Sequence, residues 1–121
     1  MRCLFLNPQS DAIRAREREE GHASGALVAL TELNIGMLTE RVGARLSPGA
    51  RERLQVRVYD ETIRFNIILI DERIGVVQPY MPEFRGTDSP TLVLEPAPTS
   101  AGLFPVFAQV FESLWERSKP R

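Results

Sequence analysis

The stretch at residues 63–81, IRFNIILIDERIGVVQPYM, limits the possible folds more than any other part of the chain. Residues 63–70 form an almost unbroken apolar run rich in β-branched side chains, which predicts a strand. Asp71-Glu72 supplies a tight turn, residues 73–77 return as a second strand, and Pro79 and Pro82 break the pattern. The first strand has little polar content, so it is expected at the centre of a sheet, buried on both faces.

The flanking segments predict what such a hairpin packs against. Residues 3–6 form a short apolar strand ended by Asn7-Pro8, with Asn7 expected to cap a helix over residues 8–20 and Pro8 to occupy its first turn. Only Ala12, Ile13 and Ala15 are apolar there, and Arg16 is spaced to pair with Glu20, so this helix is expected to face water. A second helix over residues 25–46 spreads Leu27, Leu30, Leu33 and Met37 beside Val28, Ile35, Leu38 and Val42, a surface wide enough to need cover on more than one side. SPGA at 47–50 ends it. Residues 54–60 alternate as a strand, and the helical crossover implies that this strand runs parallel to residues 3–6. PTLVLEP at 90–96 is a further short strand, and EPAPTSAG at 95–102 a surface loop. A final helix over 101–118 carries Phe104, Phe107, Phe111 and Trp115, so it should lie firmly across a sheet. The fold class is therefore α/β, a mixed β-sheet flanked by helices, in one domain over residues 1–121.

Bulk composition removes several classes of function. With 15 basic against 16 acidic residues the net charge is −1, so no direct nucleic-acid binding and no electrostatic membrane attachment are expected. No apolar run is long enough to span a bilayer, and the single cysteine, Cys3, fits a buried position in a reducing, cytoplasmic setting. One histidine, His22, and one cysteine argue against a metal site, and no cofactor motif is present. No Gly-rich phosphate loop or Ser-His-Asp set occurs.

Anchored on Asp71, the hairpin resembles the signature of the phospholipase D superfamily, His-x-Lys-x4-Asp followed by Gly-Ser and then Asn. The Lys position falls on Asn66, the His position on Arg64 and the Gly-Ser on Gln78-Pro79. That family uses the His as nucleophile and the Lys to neutralise phosphate. Arg64 is permanently protonated and Asn66 is a poor nucleophile, so no catalytic residue is expected here. Two readings of Arg64 stand. Its fork can hold a phosphate beside Asn66, which projects from the same strand face two residues on. Alternatively it forms a salt bridge with Asp60, Glu61 or Asp71 while Asn66 satisfies backbone groups.

A wider resemblance covers nearly the whole chain. Tyr59, Asp71, Pro79-Tyr80, Ser89-Pro90 and a closing Phe111-x3-Trp115 helix are similar to a degenerate phospholipase D-like module found C-terminal in some bacterial helix-turn-helix transcription regulators. The related folds carry a strand and helix ahead of RCLFLNP, so either a missing N-terminal unit or a partner chain that completes the sheet is expected here. The resemblance implies a half-unit of the phospholipase D fold, pairing as a homodimer. It also implies a non-catalytic ligand-sensing or protein-interaction role in bacterial regulation, with a phosphate-bearing small molecule or a protein as partner. The candidate ligand-binding residues are Arg64, Asn66, Asp71, Tyr80 and Arg85, the last two in the loop QPYMPEFRG. A phosphodiesterase or nuclease with rebuilt catalytic residues is the alternative.

Overall fold

A computed structural model of the chain describes residues 1–82, 84, 88–98 and 102–121. The chain divides into two compact units, Met1–Thr62 with Arg117–Arg121, and Ile63–Glu116. Each has its own three-stranded sheet, so the α/β class with a mixed sheet and flanking helices holds, and the strands are shared between two sheets.

In the first unit β1 (Arg2–Leu6) runs parallel to β2 (Gln55–Tyr59), in register from Arg2 opposite Gln55 to Leu6 opposite Tyr59. The parallel crossover expected from the intervening helices is present. A short β6 (Lys119–Pro120) adds antiparallel to the other side of β2, an element too brief to leave a sequence pattern. The Arg57 guanidinium donates to the Ser118 carbonyl, Arg117 forks onto Glu61 at 2.9 and 3.1 Å, and Arg121 pairs with Glu32. These contacts tie the C-terminal residues to this unit.

The first helix, α1 (Asp11–Glu20), starts later than Asn7 predicts. Ser10 is the cap, its Oγ accepting the Ile13 N–H at 3.3 Å, while Asn7 Oδ1 accepts the Gln9 N–H at 3.0 Å and shapes the turn before it. Gly21, left-handed at φ 70°, closes the helix. The water-facing charged helix is also corrected. Ile13, Arg16 and Glu17 are buried together, and Arg16 reaches Glu19 at 3.0 Å and Glu20 at 3.3 Å with its own side chain and that of Glu20 sealed from solvent. Both terminal nitrogens of Arg16 therefore have a carboxylate oxygen within 3.3 Å, the matching that a buried charge requires.

The second predicted helix is divided. α2 (Ala26–Gly36) passes into a π-helical stretch, Met37–Val42, and then into α3 (Gly43–Arg45). Thr39 Oγ1 donates back to the Ile35 carbonyl at 2.9 Å, a local competitor of the regular helical ladder at that point. Ile35 is buried, whereas Leu30, Leu33 and Met37 are exposed, so the broad cover expected for this helix is not provided. SPGA does not simply end the helix: Ser47 caps a short α4 (Pro48–Glu52).

In the second unit β3 (Phe65–Ile70), β4 (Ile74–Pro79) and β5 (Leu92–Leu94) form an antiparallel sheet in that order. Phe65 opposes Pro79 and Ile70 opposes Ile74, and Val76 opposes both Ile68 and Val93. Among the described residues β3 is thus an edge strand, not the central one its apolar run suggests. Its side chains alternate between half-buried and exposed, so one face of the run meets solvent. The helix α5 (Leu103–Arg117) packs on the inner face: Phe107 meets Phe65 edge-on with ring centres 5.0 Å apart, and Phe104 is buried near Gly75. Phe111 and Trp115 stack on each other at 6.0 Å. Among the described residues no helix is long and apolar enough to cross a membrane.

Candidate functional site

The outer face of the β3–β5 sheet brings most of the candidate residues together. Side chains alternate across a strand, so the residues that point away from α5 are Arg64, Asn66, Ile68 and Ile70, with Ile74, Val76, Gln78 and Tyr80 opposite them and Val93 beyond. Arg64 and Tyr80 are neighbours across the hairpin: the Tyr80 N–H donates to the Arg64 carbonyl at 2.8 Å. Asn66 Nδ2 donates to Gln78 Oε1 at 3.3 Å, and Gln78 Nε2 donates to Thr91 Oγ1 at 3.0 Å. The result is a polar row that runs from β3 across β4 to Thr91, just before β5. It occupies Asn66 with another side chain rather than with backbone groups.

Beside that row the face is apolar. Ile68, Ile70, Ile74 and Val93 retain 49, 53, 40 and 66% of their accessible surface. Ile68, Val76 and Val93 stand in one cross-strand line, and Ile70 and Ile74 in the next. Neighbouring strands lie about 4.8 Å apart, so these side chains form one continuous patch. A contiguous patch of large aliphatic groups on a sheet face is a feature that needs explaining, unlike a scattered exposed leucine.

The charged candidates sit at the two ends of the hairpin. Arg64 precedes β3; Asp71 and Glu72 form the turn after it, left-handed at φ 50° and 55°, with the Arg73 N–H donating to the Ile70 carbonyl at 3.0 Å. Seven residues of extended chain put roughly 23 Å between the Cα atoms of Arg64 and Asp71, too far for one phosphate to bridge. Asp71 therefore does not join Arg64, Asn66 and Tyr80 in one pocket. The alternative salt bridge for Arg64 is not formed either: Glu61 is held by Arg117, and among the described residues neither Arg64, Asp71 nor Glu72 enters an ion pair. Arg85 lies outside the described residues.

Chemically, the arrangement offers one exposed guanidinium, a hydrogen-bonded amide row and an aliphatic patch. Neither Arg64 nor Asn66 can act as a nucleophile, and Cys3, in the other unit, has its thiol pushed up by burial, away from the reactive thiolate. Sequence reasoning missed Gln78, Thr91 and the four exposed aliphatics. The signal that could have found the aliphatics is the polar pair Arg64 and Asn66, whose spacing of two marks the even-numbered face of β3 as the outward one.

No curated protein and no solved structure matches the chain. One family matches it over residues 1–121, described as Domain of unknown function (DUF5919), and with its full length aligned to that family the chain belongs to it.

Proposed function

We propose that the chain is a non-catalytic protein-interaction module of the regulatory type, and that it works by self-association through the β3–β5 sheet. The observation that carries this reading is the exposed patch of Ile68, Ile70, Ile74 and Val93 beside the Asn66–Gln78–Thr91 row. Aliphatic surface next to a satisfied polar border is the composition of an interface core with its rim. A catalytic reading built on the hairpin's signature positions lacks its nucleophile, since Arg64 has no lone pair and Asn66 is engaged with Gln78.

Sedimentation velocity from low to high micromolar concentration tests the proposal. Wild type is expected to move from monomer to dimer, and Ile68→Lys, which places a charge in the patch, to remain monomeric over the same range. A wild-type protein that is monomeric throughout contradicts the reading.

A second reading keeps one supporting observation, the exposed Arg64 guanidinium beside Asn66 and Tyr80, without an ion pair among the described residues: the module senses a phosphate-bearing small molecule. Thermal unfolding of wild type and Arg64→Ala against nucleotides and sugar phosphates separates the two. A ligand bound only by the folded state at a hundredfold excess over its Kd stabilises by about 2.7 kcal/mol. Such a shift, lost in Arg64→Ala, would favour the sensor.

A further inference from the structure

Within its own sheet β3 pairs on one side only. Strand order is β3-β4-β5, and among the described residues no strand pairs with β3 on the side away from β4. The Tyr80 N–H to Arg64 carbonyl bond fixes which backbone groups point where. In an antiparallel ladder the hydrogen-bonding residues alternate, so Arg64, Asn66, Ile68 and Ile70 direct their backbone groups toward β4. The N–H and C=O groups of Phe65, Ile67 and Leu69 then face the open edge.

The sheet's two edges are treated differently. β5 is three residues long and lies between Pro90 and Pro96, the usual protection of an exposed edge. β3 is six residues, FNIILI, with no proline, glycine or charge inside it. A strand of that composition left open is a template for further pairing. A partner that closes it in one defined register removes the hazard.

The charges at its ends say which partner. One end of β3 carries Arg64 and the turn at the other end carries Asp71, Glu72 and Arg73, a net charge of −1 facing +1, and neither Arg64, Asp71 nor Glu72 has an ion-pair partner among the described residues. A second copy laid antiparallel across the edge, about a two-fold axis, brings each Arg64 to the other copy's Asp71-Glu72 turn. A parallel copy would stack like charges on each other. The edge is therefore self-complementary in one orientation only, as an isologous dimer requires.

We infer that two copies of the chain pair through β3, antiparallel and centred on Ile67, so that Phe65 faces the other copy's Leu69 and the two three-stranded sheets become one sheet of six strands. This rests on the self-association proposed above and narrows its contact from the sheet face to the β3 edge, with Ile68 and Ile70 beside the join and Val93 outside it. Strand addition of this kind draws its affinity from backbone hydrogen bonds and its specificity from the side chains at the ends. It also leaves Val93, on the far strand β5, outside the contact.

The test is a charge exchange followed by sedimentation velocity of the full chain. Arg64→Glu sets a new carboxylate against the other copy's Asp71 and Glu72; Glu72→Lys sets a new ammonium group against the other copy's Arg64. Each variant alone is expected to dimerise at least tenfold more weakly than wild type, and an equimolar mixture to regain wild-type dimer, because both ends are complementary again in the mixed pair. Recovery in the mixture also shows that both variants are folded. Val93→Lys is expected to dimerise as wild type does. Two results would overturn edge pairing and leave self-association standing: charge variants that dimerise normally, or a dimer lost in Val93→Lys, which is the mark of face-to-face packing. A wild type that never dimerises would overturn both.

Discussion

Glu17 shows how a single side chain can hold two helices together. It lies on the inner face of α1 and accepts the backbone N–H groups of Gly25, Leu27 and Val28 at 3.1, 2.8 and 3.2 Å. These are the unsatisfied donors of the first turn of α2, where Gly25 itself has no side chain to cap them. The Gly25 bond first, then those from Val28 and Leu27, hold the Glu17 carboxyl below its usual range against the opposing effect of burial. A carboxyl lowered in the folded state adds stability above its unfolded pKa, and that stability is lost as pH falls through the folded value. Glu17→Gln is accordingly expected to melt several degrees below wild type at neutral pH. The gap should narrow as pH is lowered through and below the ordinary glutamate range. A gap independent of pH would mean the charge is not what binds α2. None of this was legible in RAREREE, because a charged helix reads as solvated whenever its partners lie on another element. The same holds for Arg16 and Glu20: their i,i+4 spacing was visible and their burial was not.

At the scale of elements, the aromatic spacing of α5 was enough to place it on a sheet. Phe104, Phe107, Phe111 and Trp115 recur along one stripe, and the first two reach the inner face of β3–β5. Phe104→Ala is expected to cost about 3–5 kcal/mol, measured by denaturant unfolding, because it removes a buried ring and leaves a cavity. Gly75 is the matching feature on β4: a Cβ there would lie 3.4 Å from Leu69 and 3.5 Å from Phe104. Ala is therefore tolerated, while Gly75→Val should force α5 outward and lower stability. An unfolding midpoint for Gly75→Val equal to that of Gly75→Ala would show that α5 does not rest there. The position of β3 was less legible. A continuous apolar run fits a central strand or an edge strand with an exposed apolar face, and only pairing with β4 on one side decides between them.

For the whole molecule, the sequence carried the α/β class, the parallel β1–β2 crossover and the hairpin. It did not carry the division into two sheets. β6 is two residues of C-terminal chain, and its pairing depends on contacts across about sixty residues, such as Arg57 with Ser118, that no local pattern encodes. The candidate site was legible in part. Arg64, Asn66 and Tyr80 do share a face, and Asp71 lies at the other end of the strand. Both facts acquire a purpose together if the hairpin is read as one half of a two-fold contact rather than as a pocket.

Amide hydrogen exchange, resolved by residue and followed at low and high protein concentration, tests that reading most directly. Asn66, Ile68 and Ile70, bonded within the hairpin, should be protected at both concentrations, whereas the amides of Phe65, Ile67 and Leu69 should become protected only as the dimer forms. If those three exchange as open amides at every concentration while the protein self-associates, the contact is not through β3. If the protein does not self-associate at all, the hairpin is not the interaction surface proposed for it.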